Sequence, residues 1–195
     1  MRDHYRTLAA RGEHRIKVER SEFLGIAFPI AAEDAFFAEL QAIEKKHFDA
    51  THHCWAFRLF EGERARSSDA GEPAGTAGKP ILSAFGELFD LGVVVVRWFG
   101  GVKLGTGGLS RAYREAAAAA LGVAPIAERV VYTRVRVEVP FNALGTAYRL
   151  ASEPEVVLVA NSFGETNSFD FDVRRGRVEE FVRVLKEKRL GFILP

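Results

Sequence analysis

The sequence predicts a mixed α/β (α+β) protein of two domains, and three observations carry that reading. Residues 93–96 are four consecutive valines, a β-branched run of strand length. Glycines follow at 100 and 101 and again at 105, 107 and 108, and then comes an alanine-rich stretch, 109–121, free of Gly and Pro. That order reads as strand, glycine loop, helix. Further on, Val131, Thr133, Val135, Val137 and Val139 alternate with Tyr132, Arg134, Arg136 and Glu138, the period of a half-buried strand. Between the two patterns, residues 122–125 bring a glycine and a proline, which places the domains at 1–124 and 129–195.

In order, residues 16–19 and 23–30 read as two strands joined around 20–22. Residues 33–46 form a helix, with Phe36, Phe37, Leu40 and Ile43 or Glu44 at the spacings of one face. Residues 53–60 are a strand whose Trp55, Phe57 and Leu59 share a side, and 61–63 turn the chain into a hairpin. Three glycines and a proline make 71–78 a loop, and 79–91 a helix with Pro80 in its first turn. In the second domain, 141–152 is a helix. Residues 156–163 and 168–173 form a hairpin about Gly164, with Phe169, Phe171 and Val173 alternating against Asp170 and Asp172. Val178, Phe181, Val182 and Leu185 are the stripe of a last helix before a short apolar tail. The order βαββα, closed by a final strand, is ferredoxin-like.

Composition narrows the function classes. At 195 residues and 48% hydrophobic content, the chain can bury a substantial core. Cys54 is the one cysteine, so no intrachain disulfide forms. No apolar run reaches membrane-spanning length, and the N-terminus lacks a signal peptide's apolar core, so a cytoplasmic protein without a membrane partner is expected. Twenty of the 27 basic residues are Arg, while Asn, Gln, Cys and Met total six, a balance that points to a heat-adapted source. Residues 1–128 hold 16 Lys and Arg against 17 Asp and Glu, and residues 129–195 hold 11 against 9. Neither half is a polycation, so any nucleic-acid contact uses a local patch.

The patch lies after the valine run. From Arg97 to Arg114 there are four basic side chains, Arg97, Lys103, Arg111 and Arg114, and no acidic one. Glycines allow close approach to the main chain, and the first turn of a helix leaves amide hydrogens without partners. Anions suit such a place. Gly107 and Gly108 are the expected amide donors, with Lys79, at the start of the preceding helix, within reach of the same point. The alternative is a tight turn with solvated arginines.

Candidates for catalysis are fewer. Asp69, Glu72 and His53 could serve as acid and base, although carboxylates in so glycine-rich a loop also cap helices and fix turns. His52, His53 and Cys54 lack the further ligands that a zinc site needs, so no metal is expected. A Walker A loop ending at Gly78 and Lys79 would need Gly at 73 and Ser or Thr at 80; both are Pro. A dinucleotide loop starting at Gly105 would need Gly at 110, which is Ser110. No cofactor is expected.

The stretches SSDAGEPAGTAGKPIL and VVVVRWFGGVKLGTGGLSRAY together resemble the signature of the IMPACT family, the YigZ-type proteins of bacteria. Ala70, Ala74 and Trp98 stand where the family usually has Asp, Ser and Tyr. The resemblance implies a two-layer α/β domain joined to a small ferredoxin-like one, the two similar to domains of elongation factor G and of a small-subunit ribosomal protein. It implies a non-enzymatic regulator associated with translation, binding RNA, the ribosome or a ribosome-associated protein. Lys79, Arg97, Lys103, Gly107, Gly108, Arg111 and Arg114 are then the binding residues. The other open reading is a small hydrolase acting on a phosphorylated or peptide-like substrate through Asp69, Glu72 and His53.

Overall fold

The structure, a computed structural model, describes residues 3–194. The chain folds as two compact units, one of Tyr5–Glu128 and one of residues 3–4 with 129–194.

The first unit is built on an antiparallel five-stranded sheet in the order β2-β3-β6-β4-β5. Its strands are β2 (Gly12–Val18), β3 (Ser21–Pro29), β4 (His52–Arg58), β5 (Ala65–Ser68) and β6 (Leu91–Trp98). β6 is central, and its valine run is apolar on both sides because both sides are covered. Val93 and Val95 face α2 (Gly78–Ser83) and α3 (Gly105–Val123), while Val94 and Val96 face α1 (Glu33–Lys46). The resemblance implied two layers; α1 adds a third, since an uncovered sheet face would leave Val94, Val96, Leu24 and Ile26 in water. β1 (His4–Leu8) and β7 (Ile126–Val130) pair as a separate ribbon.

The alanines of α3 have a packing reason. Ala116 and Ala120 lie against β3 and β2 so closely that a Cβ on Gly25 would sit 2.2 Å from the Ala116 carbonyl oxygen, and one on Gly12 would sit 2.4 Å from that of Ala120. Only small side chains on the helix and none on the strands permit this approach.

Two expected elements change length. The helix read at 79–91 ends at Ser83, because Gly86 and Asp90 both take positive φ (55° and 53°) and the chain turns through them into β6. The helix read from 109 begins four residues earlier, at Gly105, so Gly107 and Gly108 lie inside its first turn rather than before it.

The second unit is a four-stranded antiparallel sheet in the order β11-β8-β10-β9, formed by β8 (Tyr132–Val139), β9 (Val156–Ser162), β10 (Asn167–Arg174) and β11 (Gly191–Ile193). With α4 (Leu144–Leu150) and α5 (Val178–Glu187) this is the ferredoxin-like βαββαβ order. The helix read at 141–152 begins as a 3₁₀ turn, Phe141–Ala143. Val135, Val137, Val139, Phe169, Phe171 and Val173 pack beneath Phe181 and Leu185. On the open face, Arg134 and Arg136 each make two-pronged ion pairs across the strands, with Asp172 (2.6 and 3.2 Å) and Asp170 (2.7 and 2.8 Å).

Candidate nucleic-acid interface

β6 delivers the chain to the sheet edge at Trp98, and the glycine loop returns it as α3. Leu104, the residue before α3, has no capping side chain, and no acidic residue lies in the first turn. Gly105 takes positive φ (67°), so its amide is not aligned with the helix; the amides of Thr106 and Gly107 are the ones without a partner within the helix, whereas the i→i−4 ladder already employs Gly108. The Arg111 guanidinium lies over Gly107, where an added Cβ would come 3.5 Å from Nη1. Lys103, Arg111 and Arg114 are exposed, as is Lys79. None of the four is in an ion pair among the described residues.

Two clefts meet at Lys103 and Leu104. One, about 460 Å³, runs past Gly108 and Arg111 and is also lined by Glu19 and Glu115. The stretch that is free of acids in sequence is thus not free of them in space. The other, about 440 Å³, is lined by His52, Glu72, Arg97, Phe99, Lys103 and the Gly105–Thr106 start of α3, among others.

Arg97 belongs to the floor of this second cleft rather than to the exposed cations. On β6 it shares the inward face of Val93 and Val95, and its side chain is only 6% exposed. Nη1 donates to Glu72 Oε1 at 2.5 Å, and Nη2 lies 3.4 Å from Ser21 Oγ. Its Nε has no hydrogen-bond partner among the described residues. Phe23 and Phe99 lie 5.4 and 5.3 Å from the guanidinium carbon. Glu72, 4% exposed at its side chain, also accepts from the Tyr113 hydroxyl at 2.7 Å. The pair cancels in charge, so Arg97 gives the cleft a donor and no net field.

The three catalytic candidates are not brought together. Asp69 accepts from the amides of Gly75 (2.7 Å), Gly78 (2.8 Å) and Ala77 (2.9 Å), so it organises the loop and caps α2 from outside the helix. Partial burial raises its pKa, but those three amides outweigh that and hold it below the usual carboxylate value. His53 lies on the α1 side of β4, its Nε2 3.1 Å from the His47 carbonyl oxygen. His52, one residue earlier and on the opposite side, is the histidine that reaches the cleft. Its Nδ1 donates to the Ala70 carbonyl oxygen at 2.9 Å, and its Nε2 is 3.9 Å from Glu72. The two-residue period of β4 was the signal for choosing between them. Phe99, Thr106 and Tyr113 had no such signal.

Cys54 is fully buried, and its thiol donates to the Asp69 carbonyl oxygen at 2.9 Å. Burial pushes the thiol pKa up to about 12. Native protein at pH 8 is therefore expected to leave iodoacetamide unreacted over hours and to be alkylated at Cys54 only after denaturation, as read by mass spectrometry. Rapid native labelling would contradict the burial. Among the described residues, no three His, Cys, Asp or Glu side chains group as a metal site.

Fold and cleft together define an α+β protein whose longest helix begins, uncapped, at the mouth of a buried Arg–Glu pocket. The family described as the Impact N-terminal domain matches residues 19–121. The IMPACT family member YvyE of Bacillus subtilis strain 168 is 32% identical over 190 residues, covering 96% of this chain and 88% of that one. The IMPACT family member YigZ of Escherichia coli K12 is 39% identical over 105 residues, half of each chain. A solved crystal structure of a hypothetical protein superposes with a TM-score of 0.74 at 25% identity, over 99% of this chain and 98% of the other. The chain belongs to the IMPACT family. No described helix is long and apolar enough to cross a membrane.

Proposed function

We propose that this chain is a non-enzymatic factor acting in translation, which binds RNA, on or off the ribosome, through the basic face at the start of α3. The observation that carries the proposal is the coincidence of helix amides without a partner at Thr106 and Gly107 with the exposed cations Lys103 and Arg111, the latter lying over Gly107. Phosphate is the anion such a point suits, through amide donors and a helix dipole that favours negative charge. A role in translation is what the family resemblance suggests, and a ribosome-associated protein is the alternative partner. In the second unit, a cleft of about 500 Å³ is lined by Glu138, Glu165 and Asn167 and by no Lys or Arg.

Fluorescence anisotropy with single-stranded RNA tests this reading. With about three phosphates neutralised, log affinity should fall against log salt with a slope of about −2. The double variant K103E/R111E should lower the affinity about tenfold or more and flatten the slope to about −0.7, with an unchanged melting temperature, since both side chains are exposed. Unaltered affinity and slope in the double variant would reject RNA binding at this face.

A further inference from the structure

The cleft of about 440 Å³ combines features that a surface patch for phosphates does not need. It is within the roughly 300–1,000 Å³ of small-molecule sites. One part of its wall is apolar and partly aromatic, made of Phe99, Leu104, Leu109 and Pro73. Phe99 is 45% exposed, so part of its ring is open to the cleft. Its backbone is fixed from behind, the amide donating to Thr51 Oγ1 at 3.0 Å, so the ring is held in place at the cleft. The remainder of the wall is polar. It holds Lys103, the Gly105 and Thr106 amides at the start of α3, and the more than nine-tenths buried Arg97.

An exposed ring beside a single phosphate-sized cluster of donors is the arrangement that takes one planar base and one phosphate. Bases of any sequence stack on an aromatic face, and one helix start with one free lysine matches one phosphate group. We propose that this cleft holds a nucleoside 5′-monophosphate, its phosphate at the Gly105–Thr106 amides and Lys103 and its base against Phe99. The nucleotide is either free or the 5′-phosphorylated end of an RNA strand. The inference rests on the reading that the start of α3 takes phosphate, and adds that the cleft selects a terminal nucleotide over the interior of a chain. The size fits one nucleotide, since about 440 Å³ is within the range of small-molecule sites. His52 Nε2, facing the cleft while Nδ1 is committed to Ala70, supplies one further polar atom for the sugar or base edge.

Isothermal titration calorimetry with uridine and adenosine 5′-monophosphates, the two nucleosides and inorganic phosphate tests the cleft. Anisotropy with one RNA oligomer carrying either a 5′-phosphate or a 5′-hydroxyl separates the two sources. The monophosphates are expected to bind at least tenfold more tightly than nucleoside or phosphate alone. Phe99→Ala should weaken them about tenfold, the size of one lost stacking contact, and leave inorganic phosphate unchanged. If the RNA end is the natural ligand, the 5′-phosphorylated oligomer binds more tightly than its 5′-hydroxyl twin. If the free nucleotide is, the oligomers bind alike while the mononucleotide still binds. Inorganic phosphate equal to the monophosphates, with no effect of Phe99→Ala, would reduce the cleft to a plain anion site and overturn the inference. RNA binding that ignores the 5′ end, with no mononucleotide binding by the unaltered protein, would also overturn it and would leave the proposed RNA function standing.

Discussion

Glu72→Ala is expected to lower the stability of the first unit by about 3–5 kcal/mol, a large part of the roughly 5–15 kcal/mol that holds a domain of this kind together. The carboxylate it removes is the partner of Arg97, and both side chains are almost wholly out of water. Without it the guanidinium remains buried with its charge unmatched, and the Tyr113 hydroxyl, also buried, loses its acceptor. Urea unfolding followed by tryptophan fluorescence reads the effect cleanly, because Trp55 and Trp98 are the two tryptophans of the chain and both lie in this unit. Two companion variants identify the cause. Glu72→Gln keeps an acceptor for Tyr113 and should cost less, and adding Arg97→Met to Glu72→Ala should recover part of the loss by removing the stranded charge. A cost below about 1 kcal/mol for Glu72→Ala would mean that water reaches Arg97 and that the floor of the cleft is open.

Gly25→Val should destabilise the same unit by about 3 kcal/mol, for a different reason. The first added carbon already lies 2.2 Å from the Ala116 carbonyl oxygen, which is backbone and cannot swing aside. The helix must lift from the sheet, and the Ala112, Ala116 and Ala120 contacts loosen together. Gly122→Ala serves as the control. It lies near the end of the same helix with open space around its Cβ position, and should raise stability by about 0.5–1 kcal/mol. If both substitutions behaved alike, the close approach of α3 would not be what requires Gly25.

These two positions also mark how much the sequence could tell. Helices and strands with a clean period were legible. Glu33–Lys46 has the bounds read from its apolar face, and the alternation in Tyr132–Val139 separates the buried from the exposed side as expected. Elements bounded by backbone conformation were not, since nothing in the residue pattern announces that Asp90 takes positive φ and ends a helix pattern early. The site divides in the same way. Lys103, Arg111 and Arg114 are exposed, as a run of cations at a helix start suggests. Arg97 could have been placed inside by counting in twos from Val93 and Val95. Its partner could not, because Glu72 comes from a loop 25 residues away that has no period, and only the folded chain brings the two together. The grouping of Asp69, Glu72 and His53 drew on neighbours in sequence where the chemistry depends on which side of a strand a residue takes.

The charged ladder on the open face of the second sheet has a consequence for how that sheet finds its alignment. Alternation of apolar and polar residues on β8 and β10 rejects a slip of one position, which would turn the phenylalanines outward, but it tolerates a slip of two. Charge does not. In the native pairing Arg136 stands opposite Asp170 and Arg134 opposite Asp172. A shift of two in one direction keeps one opposite-charge pair, Asp172 against Arg136, but sets Asp170 against Glu138 and Arg134 against Arg174, like charges facing each other in two places. A shift in the other direction keeps one opposite-charge pair of the two and leaves Asp172 opposite Tyr132. Odd errors are thus removed by the oily side of the sheet and even errors by the wet side, so misaligned strands can be discarded before α4 and α5 close over the core.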